Sequence, residues 1–487
     1  MQLVLNSDTV VAATDSLRFE ERGRSTLVVS PATGGWTILD DDPAGLALLK
    51  SLAGGRSVRV GDLEAENESS QPRAVLAQLL KRGLVALDGT ALATSSARVG
   101  DVRTITPPSA HNQYPVLGVF HVHNWCNLAC TYCYTIDEKM PRRGLSRELM
   151  IKAVDEMVHL PTPFSTFEFH GGEPTMAFAD IEAVTLHAER VYAAAGKPVS
   201  FSVQTNAYNL KPAVCDFLAE HKFSVRVSLD GTSDTHNAFR IDHSGRGTYK
   251  GVVAGIKRLQ ERGIAVHALC VVHIGNVERI CDMYDAMADQ GVASIRFLPV
   301  FKTGRADESQ WLDGDTYFEA YFGMLRHVVA RSRSGKRTAP LPNLIAGELG
   351  SLRSFRREYM CMRTPCGAGV NMIAIDVNGE LYPCEEMMGK PEFVFGNIED
   401  IGIREAIDTS PVIAQLKGRH VEEIDECSSC TWKQMCHGGC VHKSYTHFKR
   451  LDQKSEHCSY YKRIYHDLIW MEADDPGSWA ALSGAAG

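Results

Sequence analysis

His123-Asn124-Trp125-Cys126-Asn127-Leu128-Ala129-Cys130-Thr131-Tyr132-Cys133-Tyr134 follows directly on the apolar run Pro115-Val116-Leu117-Gly118-Val119-Phe120. The run reads as a buried strand, which puts the three cysteines, spaced C-x3-C-x2-C, on the loop that leaves it. Three thiolates on one short loop can hold three corners of a [4Fe-4S] cube, whereas most such clusters are closed by four cysteines. One iron then lacks a protein ligand. An open position on a metal is where chemistry occurs, by the logic that separates catalytic from structural zinc. A partial zinc site is the plainer reading of the same residues.

Outward from this loop the chain alternates short apolar strands, at 115–121, 165–170, 199–205, 223–229, 265–272 and 294–299, with helix-length amphipathic stretches at about 145–159, 177–195, 211–221, 248–262 and 277–290. Such βα units build a parallel α/β sheet or barrel, with chemistry at the C-terminal strand ends. The second strand runs into Gly171-Gly172-Glu173-Pro174. Its glycines let backbone approach a ligand, and Glu173 offers an acceptor for an ammonium group. Asp230-Gly231, after the fourth strand, reads equally as an ordinary turn. Cys215, Cys270 and Cys281 lack metal spacing and read as small buried hydrophobes.

The C-x3-C-x2-C spacing with Tyr132 before the last cysteine, followed one strand later by GGEP, resembles the radical S-adenosylmethionine (SAM) superfamily. The resemblance implies a partial (β/α)6 barrel over 114–305, with Cys126, Cys130 and Cys133 on a [4Fe-4S] cluster whose open iron binds SAM. Gly171, Gly172 and Glu173 would hold the SAM amino group, and Ser228 its carboxylate with Arg240 as charge partner. Gln204 and Asn206 would face the ribose and peptide side, and Leu298 the adenine. Reductive cleavage of SAM then gives a 5'-deoxyadenosyl radical that takes hydrogen from a substrate.

Beyond a bridging region at 306–355, whose run Arg331-Ser332-Arg333-Ser334-Gly335-Lys336-Arg337 reads as a solvated loop, come Cys361, Cys366, Cys384, Cys427, Cys430, Cys436, Cys440 and Cys458. Asp376-Val377-Asn378-Gly379 supplies a hairpin turn between Cys366 and Cys384. Eight thiolates suit two fully ligated [4Fe-4S] clusters; two structural zinc sites are the alternative. The spacing over 356–465 resembles the SPASM domain of peptide-modifying enzymes. That resemblance assigns Cys361, Cys366, Cys384 and Cys440 to the nearer auxiliary cluster, and Cys427, Cys430, Cys436 and Cys458 to the farther. Three clusters follow in all. Related sulfatase-activating enzymes carry an aspartate base after the third cysteine; here stands Glu385, a candidate catalytic group whose difference disfavours that activity.

Residues 1–95 read as strands at 25–30 and 35–40, helices at 43–52, 58–66 and 71–82, and a strand at 83–87, followed by a polar linker at 96–113. The order resembles the small winged-helix-like α+β domain of ribosomal-peptide systems, the fold of the pyrroloquinoline quinone peptide chaperone, which binds a leader peptide as an added strand. A generic packing domain is the alternative. Residues 466–487 read as a C-terminal tail.

Composition narrows the partners. A net charge of −8 over 487 residues argues against nucleic acid. There is no membrane-length apolar run and no secretory start, so a cytoplasmic location is expected, where 14 cysteines point to metal rather than disulfides. The expectation is a maturase that installs a thioether or a C–C or C–O crosslink in a ribosomally made, leader-bearing precursor peptide, reduced by a flavodoxin or ferredoxin. Epimerisation, formylglycine formation and enzyme-subunit maturation are rival radical outcomes, and a zinc-binding peptide scaffold is the non-enzymatic one.

Overall fold

The computed structural model describes residues 5, 7–14, 17–54, 57–66, 72–87, 90–91, 113–135, 141–353 and 359–484. The expected linker at 96–113 lies outside the described residues except for its last position.

An N-terminal unit contains β1 (Val10–Ala13), β2 (Arg18–Arg22), β3 (Ser25–Val29), β4 (Trp36–Asp40), β5 (Ser57–Arg59), β6 (Val85–Leu87) and β7 (Thr90–Ala91). They form two sheets, ordered β2-β3-β4 and β5-β1-β6-β7. The expected hairpin and three helices are present, at Pro43–Ala53, Val60–Glu66 and Pro72–Lys81. Four strands, β1, β2, β5 and the two-residue β7, are additions to the expectation. β1 is four residues long, β2 is a charged RFEER segment exposed along its edge, and Ser57–Arg59 pairs with β1 where a helix start was expected. Short or solvated strands carry too little period-2 signal to be read.

β8 (Leu117–His123), β9 (Ser165–Gly171), β10 (Val199–Thr205), β11 (Ser224–Ser228), β12 (Val266–Val272) and β13 (Ser294–Pro299) are all parallel and lie side by side in chain order. Helices Arg147–Val158, Phe178–Ala194, Pro212–Glu220, Tyr249–Gln260 and Ile280–Asp289 return the chain between them. This is the expected partial α/β barrel. Alternation within each strand builds it: Phe167 and Phe169 of β9 pack outward with Phe120 and Tyr192, leaving Glu168 and His170 for the opposite face.

The sheet continues beyond β8. β14 (Met372–Ile375) adds in parallel to β8, pairing Met372 with Leu117 and Ile375 with Phe120. β15 (Glu380–Tyr382) and β16 (Gly396–Asn397) follow antiparallel, giving nine strands in the order β13-β12-β11-β10-β9-β8-β14-β15-β16. The C-terminal hairpin thus covers what would be an open strand edge. It also delivers Cys384 and Glu385, just after β15, to the barrel mouth.

The bridging region contains a 20-residue helix, Gly314–Arg333, capped by Asp313 and burying Tyr317, Phe318, Tyr321 and Phe322. Arg331 departs from the solvated-loop reading. It is on this helix, 7% exposed, and paired with Asp285 and Asp289. Isolated sequence cannot supply those partners. The expected tail is likewise structured: helix Cys458–Asp474 runs through its start, and Trp479 beyond it meets Trp36 at 5.9 Å. Trp36 Nε1 donates to Leu352 O at 2.9 Å, so the N-terminal unit is tied to the body at both places.

His466 makes a third tie, with Nε2 2.8 Å from Glu20 Oε1 and Nδ1 2.5 Å from Asp467 Oδ1. The bond to Asp467, opposed by burial and helped by Glu20, raises its pKa above the ordinary histidine value. Stabilisation from this group is therefore complete below the unfolded-state pKa and is lost as pH rises through the folded one. The wild type should melt above His466→Gln by a larger margin at about pH 6 than at about pH 9; an equal margin at both would count against the tie.

Candidate active site

The six barrel strands deliver their C-terminal ends to one cavity of about 440 Å³, an ordinary size for a small-molecule site. Cys126, Cys130, Tyr132 and Cys133 line it after β8, Gly171 and Gly172 at the end of β9, Gln204 and Asn206 at β10, Ser228 at β11 and Leu298 at β13. Cys361, Cys384, Glu385 and Cys440 form part of its wall. Cys366 and the other four SPASM-pattern cysteines lie off the cavity.

The cysteine loop is strapped down from one side. Ala129 N donates to Ile241 O at 2.7 Å and Thr131 N to Phe239 O at 3.0 Å. The Tyr132 hydroxyl donates to Asp230, which also accepts from Arg240 Nε (2.9 Å), Arg240 Nη2 (3.2 Å) and Val271 N (3.0 Å). Asp230 is fully buried. Burial alone would push its carboxyl up, but the charge and hydrogen bonds of Arg240, with His236 and the Tyr132 hydroxyl, together outweigh that and hold it below the usual range. Asp230 is therefore the anchor of the loop rather than a plain turn residue. Two of the Arg240 donors are spent on it, which narrows what Arg240 can offer a ligand.

From the other side the loop meets the glycines. Gly171 has φ +119°, and a Cβ there would lie 2.3 Å from the His121 ring; a Cβ on Gly172 would lie 1.7 Å from Trp125 O. Backbone approaches that closely only without a side chain. Glu173, expected to accept from an ammonium group, is buried. Its carboxylate is turned inside the wall, accepting from Thr175 N (3.2 Å), Thr175 Oγ1 (2.5 Å), Thr205 Oγ1 (2.7 Å) and Asn206 N (2.7 Å). It joins the GGEP turn to the end of β10, with three of the four bonds on Oε1 and one on Oε2. Asn206 Nδ2 reaches on to Asn127 Oδ1 at 2.8 Å, and Gln204 Nε2 donates to Ser228 Oγ at 3.1 Å. Gly172→Ala should consequently displace the cysteine loop, weakening SAM binding at least tenfold, on the order of the 1–3 kcal/mol of an overpacked site. Equilibrium dialysis of the reconstituted protein measures this, and unchanged affinity would refute the close-approach argument.

Sequence reasoning missed the charged interior. Glu168 accepts from Ser202 Oγ at 3.0 Å and pairs with Arg226, and Arg226 and Arg296 line the cavity with Glu385. The signal was available: Glu168, Arg226 and Arg296 each sit between apolar neighbours in a strand, which places them on the inner face.

The thiols fit an iron–sulfur centre. Burial, together with the neighbouring charges of Glu173 and the other two cysteines, pushes Cys126 up to about 12; burial pushes Cys130 up to about 11. Such groups ionise only beside a strongly positive centre, as metal-bound thiols do. The eight later cysteines fall into two groups by mutual interaction. Cys361 interacts with Cys366, Cys384 and Cys440, and Cys436 with Cys427, Cys430 and Cys458. Among the described residues no three His, Cys, Asp or Glu side chains close on a single metal-ion position.

The Radical SAM superfamily profile matches residues 120–287, and that of the SPASM iron–sulfur cluster-binding domain matches residues 366–431. The chain thus carries a radical SAM domain followed by a SPASM domain. Its two domains imply SAM and [4Fe-4S] clusters as cofactors. The enzyme is 26% identical over 350 residues to the serine-type anaerobic sulfatase-maturating enzyme of Klebsiella aerogenes, spanning 71% of this chain and 82% of the relative. In fold it is similar to native anSMEcpe with bound AdoMet, with a TM-score of 0.65 at 20% identity over 74% of this chain and 98% of the other. SuiB of Streptococcus suis bound to S-adenosylmethionine superposes over more of this chain, 91% against 98% of SuiB, with a TM-score of 0.54 at 16% identity. No helix among the described residues is long and apolar enough to cross a membrane.

Proposed function

We propose that the enzyme is a maturase that oxidises a side chain of a ribosomally made precursor peptide, installing a thioether or a C–C or C–O crosslink. The observation that carries this reading is the single cavity walled by Cys126, Cys130 and Cys133 and also by Cys361, Cys384 and Cys440, so one bound side chain would face both cysteine sets. In this reading the first three cysteines hold a SAM-binding [4Fe-4S] cluster, and the eight later ones hold two auxiliary clusters in the groups given above. Bound there, SAM and the reduced cluster supply a hydrogen-abstracting radical.

The chain's own residues do the placing. The Gly171-Gly172 backbone, Ser228, Gln204, Asn206 and Leu298 orient SAM, while Tyr132 fixes the loop through Asp230. Arg226 and Arg296 offer charge to a polar peptide group, and Glu385 would take the proton released from the substrate on its carboxylate. The surrounding apolar wall keeps water from the reacting carbon. The exposed edge of β2 would receive the leader as an added strand, so trimming the leader from the peptide should slow modification while sparing uncoupled SAM cleavage. A flavodoxin or ferredoxin would supply electrons.

A second reading, formylglycine formation, is favoured by the names of the sulfatase-maturating relatives. Incubating the anaerobically reconstituted enzyme with SAM, dithionite and peptides encoded beside its gene separates the two. Loss of a hydrogen pair with an internal linkage supports the crosslink, and an aldehyde trapped by a hydrazide supports the second reading. SAM cleavage with every peptide intact would count against both.

A further inference from the structure

Arg419 is 9% exposed, yet among the described residues its guanidinium is bonded only to backbone oxygens. Nε donates to Leu451 O at 2.7 Å, Nη2 to Gln453 O at 2.9 Å and Nη1 to His437 O at 3.2 Å. Asp452, the acid that faces it, is itself exposed and held by Arg450 at 2.8 and 2.6 Å. A buried cation without a buried carboxylate is costly unless some other negative charge compensates it.

Apart from Asp452, the anionic partners that Arg419 meets among the described residues are cysteines. His437 directly follows Cys436 of the second group, and two residues further on from Gly438 comes Cys440 of the first. Gly438, at φ +76°, lies so near that a Cβ would be 3.0 Å from Arg419 Nη2. Thr364 Oγ1, two residues before Cys366, is 3.1 Å from His437 Nδ1, which brings the remaining strand of the first group to the same spot. Arg419 interacts with Cys366 and Cys440 on one side and with Cys427 and Cys436 on the other. Among the cysteines, Arg363 and Lys443 interact most strongly with those of the first group, and Lys454 with those of the second.

We infer that Arg419 is a counter-charge shared by both auxiliary clusters, set between them to raise the reduction potential of each. The inference rests on the reading that each cysteine group holds a [4Fe-4S] cluster. Reduction adds negative charge to a cluster, and a fixed cation stabilises the reduced form more than the oxidised one. An enzyme that must accept electrons from an oxidised substrate gains from such a pair.

The test is anaerobic redox titration, followed by electron paramagnetic resonance, of wild type, Arg419→Gln, Arg419→Met and Arg419→Lys in the full reconstituted chain, with iron counted in each. Wild type lacking about eight auxiliary irons would remove the two-cluster reading itself. With those irons present, the neutral variants should lower the reduced-to-oxidised ratio of both clusters about tenfold at fixed potential, about 59 mV for one electron, while lysine keeps it within threefold. Loaded neutral variants with unmoved potentials would overturn the inference, as would a shift confined to one cluster or a lysine variant that falls with the neutral ones. Loss of the auxiliary irons from both neutral variants would also overturn it, marking Arg419 as a loop clamp.

Discussion

Cys126→Ala is expected to reduce formation of 5'-deoxyadenosine from SAM and dithionite to background, while iron falls only from about twelve to about eight per chain. The asymmetry follows from how the sites are built. The Cys126 loop is fastened through Tyr132, Asp230 and Arg240 to β11 and β12, whereas the eight later cysteines belong to another part of the chain and keep their own supports. Losing one of three thiolates strips a cluster that has no fourth protein ligand to fall back on. Parallel iron, sulfide and product assays check both halves of the prediction. Product persisting in the variant would remove Cys126 from the ligand set, and loss of all twelve irons would mean that the two halves of the molecule load as one.

The second large effect is expected at Asp230. Asp230→Ala leaves the buried Arg240 guanidinium without its carboxylate, a defect that costs about 3–5 kcal/mol, and it frees the Tyr132 hydroxyl as well. The cluster-free protein should show a urea midpoint well below that of wild type, and loading of the first cluster should fall with it. The pair Asp230→Leu with Arg240→Met should recover much of the stability, since a matched apolar replacement leaves no buried charge, without recovering SAM cleavage. A single variant as stable as wild type would show that water reaches Arg240 and that the anchor is weaker than its burial implies.

How much of this could be read beforehand divides along a physical line. The six parallel strands and their helices were legible because each strand is a short segment with apolar residues at every second position or closer, set between turn residues, a local signal. Cys126, Gly171 and Gly172 were legible because the loop chemistry is also local. Tyr132 was singled out for its place beside Cys133, but its partnership with Asp230 and Arg240 depends on strands about a hundred residues away. Glu173 was expected to face a ligand; the donors that turn it inward, Thr205 and Asn206, arrive from the next strand. Arg331 looked solvated because Asp285 and Asp289 come from a different helix. The addition of β14 to β8 had no local trace at all, since pairing at that separation is decided by which edge remains open after the barrel has formed.

That addition bears on how the molecule is made. β8 leaves the ribosome some 250 residues before β14 exists, so for most of synthesis the strand that carries the metal loop stands at a bare border of the nascent sheet. Unpaired borders of this kind recruit other chains. A gene truncated after β13 should yield aggregated protein, and the full-length chain should gain more from chaperone co-expression and slow translation than the regular barrel order alone would suggest.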